Sequence, residues 1–566
     1  MAARWTIRPV ALVALVMLIS VPMALASAGP SAVAAAPLTP VVGQGSTEAA
    51  LAFSQWIADA SSTGLHVSYT ATSSVAGLQA YANNTADFAG SEAEFSSLGS
   101  TAVPRGYAYA PDLAEATAII YNVDDSAGRI VSTLHLSRLT VAKIFMGLIT
   151  NWDDAAISAD NNGLVLPNHP ITVVGRSGQS GTTALFYDFV KQTDPTDFAQ
   201  WAAANGFDTS SRLLEIDQGA ETSGWQFYSG SDQQAEAVSS AGGLWSIGYD
   251  EFGYAKIYKA NVAWIQNQSG NWVQPYSGNI TAALQSAVLA PDTSEDLDGV
   301  YTSSNPVAYP ISDYSYFVYQ CAPSADRPTC GTPYADPGMI NTLAQFMRYV
   351  ACAGQAKMSS IGYGVLPPQL SQLMADAIGS MSGQPAEQLT AQNCANPAFQ
   401  SPAPLSAPVV APASVPNGSG YLLADASGDV SAHGVLNSGS MAGQPLNAPI
   451  SQIASTSDGA GYWLVASDGG VFTFGDAQFS GSMGNQHLNA PVVGMAATPD
   501  GGGYWLVASD GGVFTFGDAQ FSGSMGGSPP SAPVVGIAAA PRSGGYWLVT
   551  SNGDVSAYDA PDFGSH

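Results

Sequence analysis

From residue 41 to residue 396, short β-branched runs alternate with stretches whose apolar positions recur every three or four residues. Val41-Val42 leads into a helical pattern with Phe53, Trp56, Ile57 and Ala60 on one face. His66-Val-Ser-Tyr leads into another with Val75, Leu78 and Ala82. Ile171-Thr-Val-Val leads into a third with Leu185, Phe186, Phe189 and Val190. Period two giving way to period 3.6 predicts strand, loop and helix, and the alternation predicts an α/β domain.

From residue 407 the pattern changes. Ala-Pro-Val-Val recurs at 407–410, 490–493 and 532–535, with Ala-Pro-Ile-Ser at 448–451. A Gly-Tyr pair follows each time, at Tyr421, Tyr462, Tyr504 and Tyr546, 41 or 42 residues apart. Each unit offers four short strands; in the third they are Val492–Thr498, Tyr504–Ala508, Gly512–Phe516 and Gln520–Ser524. Four strands in roughly 42 residues fit a propeller blade. Four units, the last completed by the terminal Asp-Phe-Gly-Ser-His, predict a four-bladed ring at 407–566, with a β-solenoid as the alternative. Trp463, Trp505 and Trp547 are expected in packing rather than as ligand platforms.

Residues 1–28 read as a secretory signal: Arg4 and Arg8 precede apolar Ala11–Ala26, and Ala24-Leu-Ala26 and Ala26-Ser-Ala28 are small-x-small cleavage sites. No Cys lies there to carry a lipid, so the mature protein is expected to be secreted or held at the surface by other means. Residues 29–40 and 397–406 are Ala/Pro/Ser-rich linkers. Four Cys in an exported chain suggest disulfides. Proximity favours Cys321–Cys330 and Cys352–Cys394, though three connectivities are open.

Only 10% of the 566 residues are charged, and the net charge is −28. Such a chain lacks the basic footprint of a nucleic-acid binder. The repeats hold Arg542 and no Lys, which argues against polyanion binding there. An anion could be held only by local dipoles and one or two cations against the global field. The three α/β loops supply those. They are Gly43-Gln-Gly-Ser46-Thr47, Ser73-Ser74 and Arg176-Ser-Gly-Gln-Ser180-Gly181-Thr182-Thr183. A helix start presents unpaired N–H groups and the positive end of the dipole, and Arg adds a planar fork of donors. Taken singly, each loop is an ordinary Ser/Thr cap. Three converging at the carboxyl ends of strands would enclose a tetrahedral oxyanion.

The wording and order of these loops resemble the phosphate-binding proteins of ABC-type phosphate importers. The resemblance spans 41–396 and includes Leu139-Thr-Val-Ala-Lys-Ile-Phe-Met-Gly-Leu-Ile-Thr-Asn-Trp152 and Ile361-Gly-Tyr-Gly-Val-Leu-Pro367. It implies a two-lobed, type 2 periplasmic-binding-protein fold, with one lobe at about 41–120 and 250–396 and the other at about 121–249. It implies phosphate ligands at Ser46, Thr47, Ser74, Glu92, Arg176, Ser180, Gly181 and Thr182. A carboxylate at Glu92 could accept a hydrogen bond from a protonated phosphate oxygen, whereas sulfate would meet only repulsion. Glu92 would otherwise be a solvated surface charge. Three residues depart from the family: Glu48 replaces an aromatic, Glu92 an Asp, and Gly178 an Asp beside the Arg. The last departure is expected to leave Arg176 less constrained.

No His stands in a nucleophile–base pattern and no metal motif occurs, so neither an enzyme nor a cofactor is expected. The expected function is secreted capture of inorganic phosphate, or a related oxyanion, for an ABC permease, with an unknown surface partner for the repeats. The alternative is a surface interaction protein whose binding lobe has an altered site.

Overall fold

The computed structural model describes residues 37–565 except 99–102, 104, 290–293, 325–326, 400–404, 417–419, 434, 436, 500 and 541–543. The signal segment, most of the first linker and the middle of the second lie outside the described residues.

One extended sheet carries both lobes of the α/β part. Its strands lie in the order Val67–Ala71, Val41–Gly45, Phe88–Ser91, Ser312–Tyr319, Ala108–Asn122, Ser246–Glu251, Thr172–Arg176 and Gln226–Tyr228. The three strands at one end and the three at the other are parallel within each group. Ser312–Tyr319 and Ala108–Asn122 are antiparallel between them. Ala108–Asn122 is the connection. Its residues up to Ala116 pair with Ser312–Tyr319, and Thr117 onward pairs with Ser246–Glu251. It is buried on both faces along nearly its whole length, which explains its Ala- and Ile-rich composition. Two such crossing strands are where a closing motion would be absorbed.

Asn261–Val262 pairs with Ile120–Tyr121, and Trp264–Ile265 with His135–Leu136.

The patterned helices form where the periodicity places them, at Ala50–Ser61, Ser74–Ala82 and Gly181–Thr193. Phe53, Trp56, Ala60, Val75, Leu78, Leu185, Phe186, Phe189 and Val190 are buried, while Ile57 and Ala82 are half-buried. Cys321–Cys330 and Cys352–Cys394 are disulfide-bonded, the two pairs that proximity favours.

The repeats fold as four three-stranded antiparallel sheets, not four-stranded blades. In the third unit the strands are Val492–Ala497, Gly503–Ala508 and Val513–Gly517. Gln520–Ser524 is not a strand, nor is Asp562–Ser565. The reason is visible in the hydrogen bonds. Trp505 Nε1 donates to the Gln520 carbonyl (2.7 Å). The hydroxyl of Tyr546, in the next unit, accepts from Ser522 N (3.2 Å) and donates to the Gly523 carbonyl (2.6 Å). Side chains take up backbone groups that a fourth strand would have used. Trp463 and Tyr504 repeat the arrangement one unit earlier. Trp463 and Trp505 are buried, so they pack rather than present a face to solvent.

The repeats also touch the α/β part. Lys256, on helix Phe252–Ile257, lies 3.0 Å from Asp458 and 3.1 Å from Asp476 of the second unit. Burial lowers the pKa of this ammonium, but the two carboxylates outweigh it and raise it above the usual lysine value. A cation shared by two acids joins the repeats to the helix that follows strand Ser246–Glu251.

Candidate functional site

The three loops converge. Arg176 closes strand Thr172–Arg176 and is 3% exposed. Its guanidinium donates to Ser231 Oγ (3.0 Å), Thr47 Oγ1 (3.2 Å) and the Ser229 carbonyl (3.1 Å). Its Nε has no partner. Among the described residues it makes no ion pair, so its charge is not neutralised by a directly contacting carboxylate.

The second and third loops touch. An added Cβ at Gly181 would stand 2.7 Å from Ser74 Oγ and 2.8 Å from Glu92 Oε2, so only glycine fits this approach. Gly181 begins its helix, and Ser180 caps it by accepting from Thr183 N (3.4 Å). Ser73 caps the second helix in the same way, through Ala76 N (3.1 Å). Ser46 Oγ accepts from Glu48 N (2.9 Å) and Ala49 N (3.3 Å). The cap reading is therefore correct for Ser73 and Ser180, whereas Ser46 holds the turn that precedes its helix, where Ala49 takes the cap position. Capping coexists with convergence, because the earliest N–H groups of each helix have no intrahelical acceptor.

Glu92 is 1% exposed, which excludes a solvated surface charge. Its Oε2 accepts from Ser74 Oγ (2.6 Å), and its Oε1 has no partner. Burial pushes its pKa up to about 7, with the charge of Glu251 adding to the rise and the hydroxyls of Ser46 and Ser74 opposing it. Thr182 Oγ1 faces Glu48 Oε2 at 2.7 Å and Glu251 Oε1 at 3.2 Å. Glu48 is fully buried. Burial and the charges of Glu251, Asp313 and Glu92 raise its pKa well above the usual carboxylate range.

Gly178 has φ 68° and open space around it. An Asp there would sit in the left-handed region, which disfavours most side chains. The looseness expected of Arg176 is not seen, because hydroxyls and a carbonyl hold it instead.

Sequence reading missed Ser229, Ser231 and Glu251. Ser231 starts helix Ser231–Ser239; its Oγ accepts from Arg176 and donates to Glu251 Oε1 (2.7 Å). The signal was present: Gln226-Phe-Tyr-Ser-Gly-Ser231 is a fourth β run ending in a hydroxyl-rich helix start.

Ser46, Ser74, Glu92, Arg176, Ser180 and Thr182 are each at most 3% exposed, so the lobes are closed over them. A roomier cleft of about 640 Å³ lies elsewhere, beside Cys352, and is mostly apolar. Its chemistry does not suit an oxyanion.

Residues 30–353 match a family described as a PBP superfamily domain. "Phosphate-binding protein PstS" of Xylella fastidiosa (strain 9a5c) is 28% identical over 320 residues, covering 56% of this chain and 79% of that protein. "Phosphate-binding protein PstS 3" of Mycobacterium leprae (strain TN) is 27% identical over 355 residues, covering 60% and 86%. Among solved structures, a phosphate-binding protein from Stenotrophomonas maltophilia has 21% identity and a TM-score of 0.39, covering 55% of this chain and 84% of that one. An ABC-type phosphate transport receptor from Vibrio cholerae has 14% identity and a TM-score of 0.35, covering 57% and 98%.

Proposed function

The chain belongs to the PBP superfamily, and from that premise we propose that its α/β module captures inorganic phosphate for an ABC-type importer. The observation that carries this reading is the meeting of three strand-to-helix loops around unneutralised Arg176, with the buried carboxyl of Glu92 against two of them. The Arg176 guanidinium and the backbone N–H groups at Thr47, Ser74, Ser180, Gly181 and Thr182 supply donors to the anion, the hydroxyls of Ser74 and Thr182 being held by Glu92 and Glu48; Ser46 orients the first loop. Ionised Glu92 accepts a hydrogen bond from a protonated phosphate oxygen. We read the site as one that binds and releases the anion without chemistry, in keeping with the phosphate-binding proteins that the chain resembles.

The chain is exported, and among the described residues no helix is long and apolar enough to cross a membrane. The repeats form a four-unit, propeller-like array that holds the binding module to a surface or a partner. The stacking of consecutive units through Tyr504 and Tyr546, and the Lys256 contact, support one connected body. An interaction protein with an altered oxyanion site is the second reading. Buried Glu48, whose carboxyl takes up the Thr182 hydroxyl and so withdraws it from an anion, is the observation that favours it.

Calorimetry on the mature full-length chain at pH 8, where Glu92 is mostly ionised, separates the two. Capture predicts heat with phosphate and none with sulfate. Absence of heat with either anion leaves the interaction reading.

A further inference from the structure

Behind the phosphate loops lies a second, purely acidic cluster. Glu115 and Asp313 stand directly opposite each other on the two crossing strands. Like charges at facing positions oppose strand pairing, and here both are buried, at 0% and 1% exposure. Glu48 approaches from the first loop, also at 0%. One carboxylate oxygen from each of the three lies within 4.8 Å of the others.

The oxygens themselves supply a second observation. No donor of the protein reaches Glu48 Oε1, either oxygen of Glu115 or either oxygen of Asp313. Only Glu48 Oε2 has a partner, the Thr182 hydroxyl. Leaving a buried polar atom without a partner is costly, and more so for a charged group. Five orphaned oxygens on three clustered, buried acids, two of them on strands that must pair, call for a shared ligand.

We infer that Glu48, Glu115 and Asp313 form a buried site for a calcium-sized divalent cation. Three carboxylates are a hard, all-oxygen donor set suited to Ca²⁺, Mg²⁺ or Mn²⁺. Burial favours calcium: magnesium dehydrates reluctantly and keeps several waters, whereas calcium accepts a site built mainly from side-chain oxygens. The ion reaches the site when the lobes open, because Glu48 comes from a loop of the first lobe and the other two from the crossing strands.

Such an ion lies next to the anion loops, since the Glu48 carboxylate also holds Thr182. Its positive charge offsets the acidic field that phosphate would otherwise meet. Resting on the phosphate reading, the two ligands are therefore coupled, each tightening the other by the same factor.

The test uses the chelator-treated, mature full-length chain, titrated calorimetrically with calcium chloride and, separately, magnesium chloride. One calcium per chain is expected, bound at least tenfold more tightly than magnesium and confirmed by native mass spectrometry. The double variant E115Q/D313N, which removes the repulsion while keeping the shape, should weaken calcium at least tenfold and still bind phosphate. No calcium on a wild-type chain that binds phosphate overturns the site, because the acids then hold protons. Equal calcium affinity in the double variant overturns it too. Calcium without phosphate binding overturns the phosphate reading and leaves the cation site standing.

Discussion

Arg176→Ala loses phosphate binding by a factor on the order of 10² to 10⁴. Two charge-assisted hydrogen bonds of roughly 1.5–3 kcal/mol each go with the guanidinium, and each ~1.4 kcal/mol is a tenfold change in affinity. Its surroundings add to the effect. Arg176 is buried and contacts only hydroxyls and a carbonyl, so its whole charge is available to the anion and is lost with it. Arg176→Lys keeps the charge but not the fork that reaches Thr47 and Ser231 together, and should recover only part of the loss. Competition binding against labelled phosphate measures both variants. Retention of wild-type affinity by Arg176→Ala would mean that the anion sits elsewhere.

The second large effect is on stability. In the presence of chelator and absence of phosphate, the protein becomes more stable as pH falls from 7 to 5.5. Burial raises the pKa of Glu92 and Asp112 to about 7 each, against ordinary values of 4.5 and 3.8. A group whose folded pKa is raised stabilises the fold below its unfolded value and loses that contribution as pH rises through the folded value. Glu115, Asp313, Asp250 and Glu48 are shifted in the same direction, by burial first and by neighbouring carboxylates second, Glu251 for Glu48 and Asp250, Glu92 for Asp313 and Glu48 for Glu115. Half-buried His135 is shifted down and opposes the trend. Each of the two acids at about 7 is half protonated at pH 7, so its slope rises from about 0.7 towards about 1.4 kcal/mol per pH unit across this window, about 3 kcal/mol together. Differential scanning calorimetry should show the melting temperature several degrees higher at pH 5.5 than at pH 7. A flat or falling profile would show that these carboxyls are not held as the structure places them.

What the sequence discloses, and what it hides, follows from range. Ser73 and Ser180 are legible because capping is local: the hydroxyl, the helix it starts and the strand before it lie within a dozen residues. Convergence of the loops was inferable from strand–loop–helix topology. The same pattern at Ser229–Ser231 carried the same information. Glu115 and Asp313 were not legible. Each sits in a mostly apolar run, and only the register of two strands distant in sequence sets them face to face. Glu92 reads as a surface charge in isolation, and only packing against Gly181 shows that it is buried. In the repeats, the 42-residue period gave the units but not their strand number. Gln520–Ser524 has a strand-like pattern, yet its backbone is claimed by Trp505 and by a Tyr of the next unit.

Arsenate has the shape and protonation of phosphate and scatters anomalously, so co-crystals of the full-length chain with arsenate locate the anion directly. The account predicts one anomalous peak enclosed by Thr47, Ser74, Glu92, Arg176 and Gly181. A peak outside that enclosure, or none in crystals of a closed chain, would contradict it.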